Sequence, residues 1–266
     1  MIANFHTHST FCDGKNTPEE IVLKALEKGF SSIGFSGHGY TDFDLRYCMK
    51  DPDAFIAEIK RLKEKYKKEI QVYLGSEEDA FCPVDRSKYR YIIGSSHYYK
   101  IGDRYCPIDS SFDYFKKCLE AFSYDAARMA EVYFSNFFRY INTRKPDIIG
   151  HFDLITKFDE THTHMFLDNP EYQKISEKYA AAAAESGCII EVNTGAISRG
   201  FRTSPYPDKF IIKEMKRLGY GVVITSDCHD ANFVDCHFAQ SRELLRECGY
   251  TEQQVLTKDG FVPTEL

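Results

Sequence analysis

The sequence predicts an α/β fold in which parallel strands alternate with helices, as a barrel or a doubly wound sheet. Three observations carry this reading. Seven short apolar runs recur along the 266 residues, most of them followed by polar residues and a helical pattern. The runs are apolar nearly throughout, as strands covered on both faces are. No Gly/Ser/Pro-rich break or low-complexity tract interrupts the cycle, so a single domain over residues 1–266 is expected.

The first run is Ile2 to Phe5. A helix follows at NTPEE, with Thr17 as N-cap, Pro18 in the first helical position, and Glu19 and Glu20 near the positive end of its dipole. Ile21, Val22, Ala25 and Leu26 give it an apolar face, and Gly29 stops it. SSIGFSGHG reads as the second strand, and DPDAFIAEIKRLKEKYKK as a helix buried through Phe55, Ile59 and Leu62. IQVYLGSEE and YRYIIGSSHYY are the third and fourth strands. One long helix is expected from about Ser111 to Asn142, with Val132, Phe134, Phe137, Phe138 and Ile141 as a core stripe. PDIIGHFD is the fifth strand, and a helix with an alanine run, suited to close packing on the sheet, follows it. CIIEVNTG is the sixth strand, PDKFIIKEMKRLG a helix, GVVITSDCH the seventh strand and HFAQSRELLRECG the last helix.

Composition narrows the functional classes. A net charge of −6 argues against a nucleic-acid backbone as main partner. No apolar run approaches the ~20 residues that span a bilayer, and no signal peptide is expected, so no membrane partner is expected either. Nine cysteines, none in a C-x-x-C pair, are expected to be reduced thiols in a cytoplasmic protein. The sequence gives no oligomeric state.

The chemistry stands at the strand ends. The first run is followed by His6, His8 and Asp13, and the second by His38. The third ends in Glu77 and Glu78, the fourth in His97, the fifth in His151, and the seventh in Asp227 and His229. C-terminal ends of parallel strands emerge on one face, where active sites are built. A lone histidine in a loop is usually a hydrogen-bonded or surface residue, and a lone H-x-H is a weak signal. Here six strand ends of seven carry a ligand type, and six of the nine histidines take part. Period-two alternation puts His6 and His8 on one side and turns Thr7 away; Asp227 and His229 repeat the device and turn Cys228 away. So many imidazole and carboxylate ligands exceed what one open tetrahedral ion needs and suit two or three ions sharing a carboxylate. Such a cluster supports hydrolysis of a small anionic substrate.

The ordered motifs H-x-H, GH, G-x-E, S-x-H, GH-x-D and SD-x-H resemble the PHP (polymerase and histidinol phosphatase) superfamily over essentially the whole chain. LGSEED, IIGSSHYYK, EVNTGAISRG with YP after it, and TSDCH resemble its histidinol-phosphatase branch, as does an aspartate at position 13. The resemblance implies a distorted seven-stranded (β/α)7 barrel, parallel strands with outer helices, and three divalent metal ions; zinc, iron and manganese all accept such ligands. It implies a first ion on His6, His8, Glu77 and Asp227, a second on Glu77, His97 and His151, and a third on Asp13, His38 and His229. It implies a phosphomonoesterase acting on a small phosphorylated substrate, L-histidinol phosphate in particular, by attack of a metal-bridging hydroxide, in histidine biosynthesis. Arg199 is the best match to a phosphate-binding arginine and Arg202 the second. Asp13 is a candidate acid for the leaving group. Glu78 is a candidate neighbour of the metals or substrate contact, and Glu78, Asp42 and Asp44 are candidates for the substrate's ammonium. Another PHP phosphatase or phosphodiesterase, a metal-binding protein without catalysis and an amidohydrolase are the rival readings.

Overall fold

The computed structural model describes residues 2–266 as a seven-stranded parallel barrel with helices outside. Strand β1 (Ala3–Asn4) leads to helix α1 (Pro18–Glu27), β2 (Ser32–Phe35), α2 (Pro52–Lys65), β3 (Gln71–Asp79) and β4 (Tyr91–Ser95). A hairpin of β5 (Tyr98–Ile101) and β6 (Arg104–Pro107) follows, then α3 (Phe112–Ala121) and α4 (Ala126–Arg144). Next come β7 (Ile148–Ile149), α5 (Pro170–Ala183), β8 (Ile189–Asn193), the short α6 (Gly195–Ser198), α7 (Lys209–Arg217) and β9 (Val222–Thr225). Helix α8 (Phe238–Glu247) and a hairpin of β10 (Glu252–Thr257) and β11 (Gly260–Glu265) end the chain.

The strand order is β1-β2-β3-β4-β7-β8-β9, and each neighbouring pair is parallel. A parallel bridge between Thr7 and Cys228, with the His8 amide donating to the Cys228 carbonyl at 3.0 Å, ties the first strand to the last and nearly closes the barrel. The barrel alternative is therefore the one realised, and every strand presents its C-terminal end to one face.

Local sequence explains the elements. Thr17 and Glu20 form a capping box on α1, with Pro18 in the first turn. The expected single helix from Ser111 to Asn142 is instead two. Ser123 and Tyr124 take left-handed φ values of 55° and 59°, and Asp125 then caps a new helix by accepting from the Arg128 amide at 3.0 Å. Of the expected stripe on α4, Val132 and Phe138 are partly buried and pack against the core, while Phe134, Phe137 and Ile141 are fully buried, with Met129 and Tyr133. Burial of each such side chain contributes about 1.5–3 kcal/mol. Helix α5 packs against α4 and α7; of its alanine run Ala180 and Ala183 are buried, while Ala181 and Ala182 are exposed.

Two hairpins escape the strand–helix cycle. β5–β6 follows the fourth strand directly, and the Ile108 amide returns to the His97 carbonyl at 3.0 Å. β10–β11 brings Val255 and Leu256 onto Phe5, Tyr73, Tyr91, Ile148 and Val223, at the end of the barrel away from the ligand-bearing strand ends. Inside, the Tyr91 hydroxyl donates to the Phe5 carbonyl at 2.5 Å. Its ring occupies the space a Cβ at Gly75 would need, so only glycine fits there.

Candidate active site

All nine expected ligands meet at the C-terminal mouth of the barrel. Glu77 stands at the centre. Its Oε2 lies 3.4 Å from His6 Nε2, 3.6 Å from His8 Nε2 and 2.7 Å from His38 Nδ1, and its Oε1 lies 3.2 Å from His97 Nε2 and 2.9 Å from His151 Nε2. Asp227 Oδ1 approaches His8 Nε2 at 3.1 Å and His6 Nε2 at 3.7 Å. Asp13 closes the outer side, 3.3 Å from His229 Nε2, 3.6 Å from His8 Nδ1 and 3.7 Å from His38 Nε2.

Three overlapping groups have metal-binding spacing: His8, Asp13, His38 and His229; His6, His8 and Glu77; and His38, Glu77 and His97. The buried atoms His6 Nε2, His8 Nε2 and Glu77 Oε2 have no hydrogen-bond partner and face one another. Orphaned buried polar atoms are costly, and a shared cation satisfies all three at once. The donor set therefore fits divalent metal ions.

Electrostatics match. Burial would raise the Glu77 carboxyl, but His38, His6 and His97 hold it well below the ordinary range. Asp227 is likewise held well below, against its burial, chiefly by Arg199 and His6. Burial would lower His6, yet Glu191, Glu77 and Asp227 raise it well above 6.5. Burial and the rings of His229 and His38 push His8 down to about 3.

Backbone geometry serves the mouth. Asp227 has φ 46°, a left-handed conformation that aspartate tolerates better than most residues, and it turns the Asp227-x-His229 pair into the site. A Cβ at Gly195 would stand 2.7 Å from Arg199 Nη2 and 2.8 Å from Asp227 Oδ2, so glycine is required for this approach.

Two carboxylates outside the candidate set support the ligand histidines. Glu191, on β8, the one strand without an expected ligand, accepts from His6 Nδ1 at 2.5 Å, the His151 amide at 2.7 Å and Thr225 Oγ1 at 2.7 Å. Its signal was a charged residue inside the apolar run CIIEVN. Asp79 holds His97 through its amide at 3.0 Å and Nδ1 at 3.1 Å. Its signal was the period of two, which puts residues 77 and 79 on one face. Such carboxylates fix the tautomer and orientation of ligand histidines.

Above the cluster lies a cavity of about 400 Å³. Besides ligand side chains it is lined by Asp44, Arg46, Tyr47, Tyr98, Asp109, Lys157 and Arg199. Arg199 donates to Asp227 Oδ2 at 3.1 Å and to the Asp227 carbonyl at 3.0 Å, which aims it across the mouth.

Three expectations about substrate contacts are corrected. Glu78 leaves β3 on the opposite side from Glu77; it accepts from Arg144 at 2.8 and 3.0 Å, Tyr140 at 2.8 Å and the Val84 amide at 2.7 Å, and it does not line the cavity. Arg202 is also not at the cavity. Its side chain is fully buried beside Asp153, Asp208 and Glu160, and it donates to Thr156 Oγ1 at 2.7 Å. Asp42 is exposed and outside the cavity lining.

Residues 4–195 match the model of the PHP domain. The chain belongs to this family. The PHP match stops before Arg199, Asp227 and His229, which the fold brings back to the same site. A Schizosaccharomyces pombe protein described as a "Probable histidinol-phosphatase" is 25% identical over 281 residues, covering 97% of this PHP chain and 90% of its own. The fold is shared with two solved structures. One, from Listeria monocytogenes, superposes with TM-score 0.76 at 19% identity over 90% of this chain and 99% of its own. The other, histidinol phosphate phosphatase from Lactococcus lactis subsp. lactis Il1403 complexed with zinc, L-histidinol and phosphate, gives TM-score 0.74 at 21% identity over 98% of each chain. Among the described residues no helix is long and apolar enough to cross a membrane.

Proposed function

We propose that this chain is a metal-dependent phosphomonoesterase that hydrolyses L-histidinol phosphate to L-histidinol and phosphate. The observation that carries the reading is the convergence of nine imidazole and carboxylate ligands, five of the histidines gathered around Glu77, beneath a cavity that Arg199 also lines. The histidinol-phosphatase description of the yeast relative, matched over nearly the full chain, supports the substrate.

Three ions would be held by His6, His8, Glu77 and Asp227; by Glu77, His97 and His151; and by Asp13, His38 and His229. Divalent ions in such a set supply a water of lowered pKa and charge stabilisation for phosphoryl oxygens. The chain's own residues do the rest. Arg199, fixed by Asp227, offers planar donors to phosphoryl oxygens as their charge grows. Glu191 and Asp79 keep His6 and His97 oriented, so little reorganisation is needed at the reacting centre. Asp13, at the outer edge of the cluster, is held ionised against its burial by His38 and His229, so it acts as a ligand and the proton for the departing alkoxide would come from a bound water. All 266 residues are read as one domain, since the site needs both Asp13 and His229. The reading sets the chain in the cytoplasm, where its nine cysteines stay free thiols.

The test is a panel of phosphate monoesters ranked by kcat/KM with metal-loaded protein. L-Histidinol phosphate is expected to lead; a nucleotide or sugar phosphate at the top would replace it as substrate.

A further inference from the structure

Five carboxylates line the cavity: Asp13, Asp44, Glu77, Asp109 and Asp227. Asp13, Glu77 and Asp227 belong to the ligand cluster. Asp44 is already neutralised. It takes both arms of Arg46, at 2.8 and 2.6 Å, and the Tyr98 hydroxyl at 3.0 Å. Asp109 differs. Among the described residues no group donates a hydrogen bond to its carboxylate, which is only 26% exposed; its one ion-pair partner within 4.0 Å is Lys157, with Nζ 4.0 Å from Oδ2, and His97 and Arg199 act on it at longer range.

Lys157 is the less expected member of the pair. Its side chain is 10% exposed, its ammonium lies 4.9 Å from the centre of the Phe201 ring, and it donates to the Asp109 carbonyl at 2.5 Å. The loop after β6, turned back onto His97 through Ile108, sets Asp109 on the wall; Lys157 comes from the segment that follows β7. A cation and an unbonded anion thus stand side by side on a wall shared with Arg199.

On the reading proposed above, the substrate is the phosphate ester of a vicinal amino alcohol. Three bonds join its ester oxygen to its nitrogen, so the ammonium lies within roughly 4–5 Å of phosphorus by covalent reach alone. On the wall the Asp109 carboxylate and the Lys157 ammonium stand 4.0 Å apart, close enough for one such molecule to meet both. We infer that the Asp109 carboxylate seats the substrate's ammonium while Lys157 beside it faces the phosphoryl group, so that the pair selects 2-amino-alcohol phosphates from other small phosphates. The pair is a specificity device: a carboxylate left without a hydrogen-bond donor in a half-buried site disfavours esters that lack the amine.

The experiment compares L-histidinol phosphate with its deamino analogue, 3-(imidazol-4-yl)propyl phosphate, on metal-loaded protein. Each variant is scored by the ratio of the two kcat/KM values, which does not depend on the fraction of folded enzyme. Asp109→Asn is expected to cut the preference for the amine about tenfold to hundredfold. Lys157→Met is expected to lower kcat/KM for both esters by similar factors, leaving the ratio within about threefold. An unchanged ratio in Asp109→Asn, or a ratio that collapses in Asp44→Asn instead, overturns the inference and leaves the phosphatase reading standing. Wild-type protein that hydrolyses neither ester overturns the phosphatase reading and this inference with it.

Discussion

Glu77 and Glu78 are neighbours on one strand, and their carboxylates never meet. Glu77 reaches five histidines at the mouth of the barrel, while Glu78 turns back to Arg144, Tyr140 and the Val84 amide. The two should fail differently. Glu77→Ala is expected to lose bound metal and nearly all turnover. Glu78→Ala is expected to keep its metal and to lose about 1–3 kcal/mol of stability, because buried donors lose their acceptor. Elemental analysis beside denaturant unfolding separates the two; metal loss in Glu78→Ala would reverse the assignment of faces.

Metal uptake should release protons. In the metal-free protein His6 and His97 are raised well above 6.5 and His38 is raised, each against its burial, chiefly by carboxylates including Glu191 for His6 and Glu77 for all three. His8, down at about 3, carries no proton to release at neutral pH. Only neutral imidazole binds metal, so apparent affinity should climb as pH rises above 6.5 and these protons leave more easily. Calorimetric titration in buffers of different ionisation enthalpy measures the release directly. Uptake without proton release would contradict the assignment of these histidines as ligands.

Arg199 and Arg202 should also separate. Arg199→Met is expected to weaken inhibition by inorganic phosphate and to cost about 10²–10³ in kcat/KM. Arg202→Met leaves Asp153 without its buried partner, and about 3–5 kcal/mol of stability should go. Phosphate inhibition that survives in Arg199→Met and fails in a folded Arg202 variant would exchange their roles.

Glu191→Gln keeps the size of the side chain and removes its charge. The amide can accept on one side only, whereas the carboxylate accepts from His6 and Thr225 on one oxygen and from the His151 amide on the other; His6 loses its charged partner, and metal affinity should fall about 10–100-fold. Competition with a chelator of known affinity measures this; unchanged affinity would leave Glu191 a packing residue.

The strand ends were legible because every candidate ligand but Asp13 sits at or just past the point where an apolar run stops, a place that the alternation of strands and helices marks on the sequence. His6 with His8 and Asp227 with His229 could be oriented from the period of two alone. The left-handed turn at Ser123 and Tyr124 was not legible, since neither residue is glycine and the helical spacing of apolar residues runs on across it. Arg202 and Glu78 are candidate substrate contacts in the sequence; their burial away from the cavity depends on partners distant in sequence, Asp153 and Arg144. Asp109 was hidden for a related reason, because it follows a hairpin that breaks the strand–helix cycle. Contacts made across the fold carry no local period, so they emerge only with the three-dimensional arrangement.

The central claim is tested most directly by counting metal and turnover on one sample. Purified protein is analysed for bound metal and assayed for phosphate release from L-histidinol phosphate before and after chelation. Bound divalent metal, steady release before chelation, loss of release with the metal and recovery on adding it back are expected. Full release after verified removal of the metal, or no release from the metal-loaded protein, would contradict it.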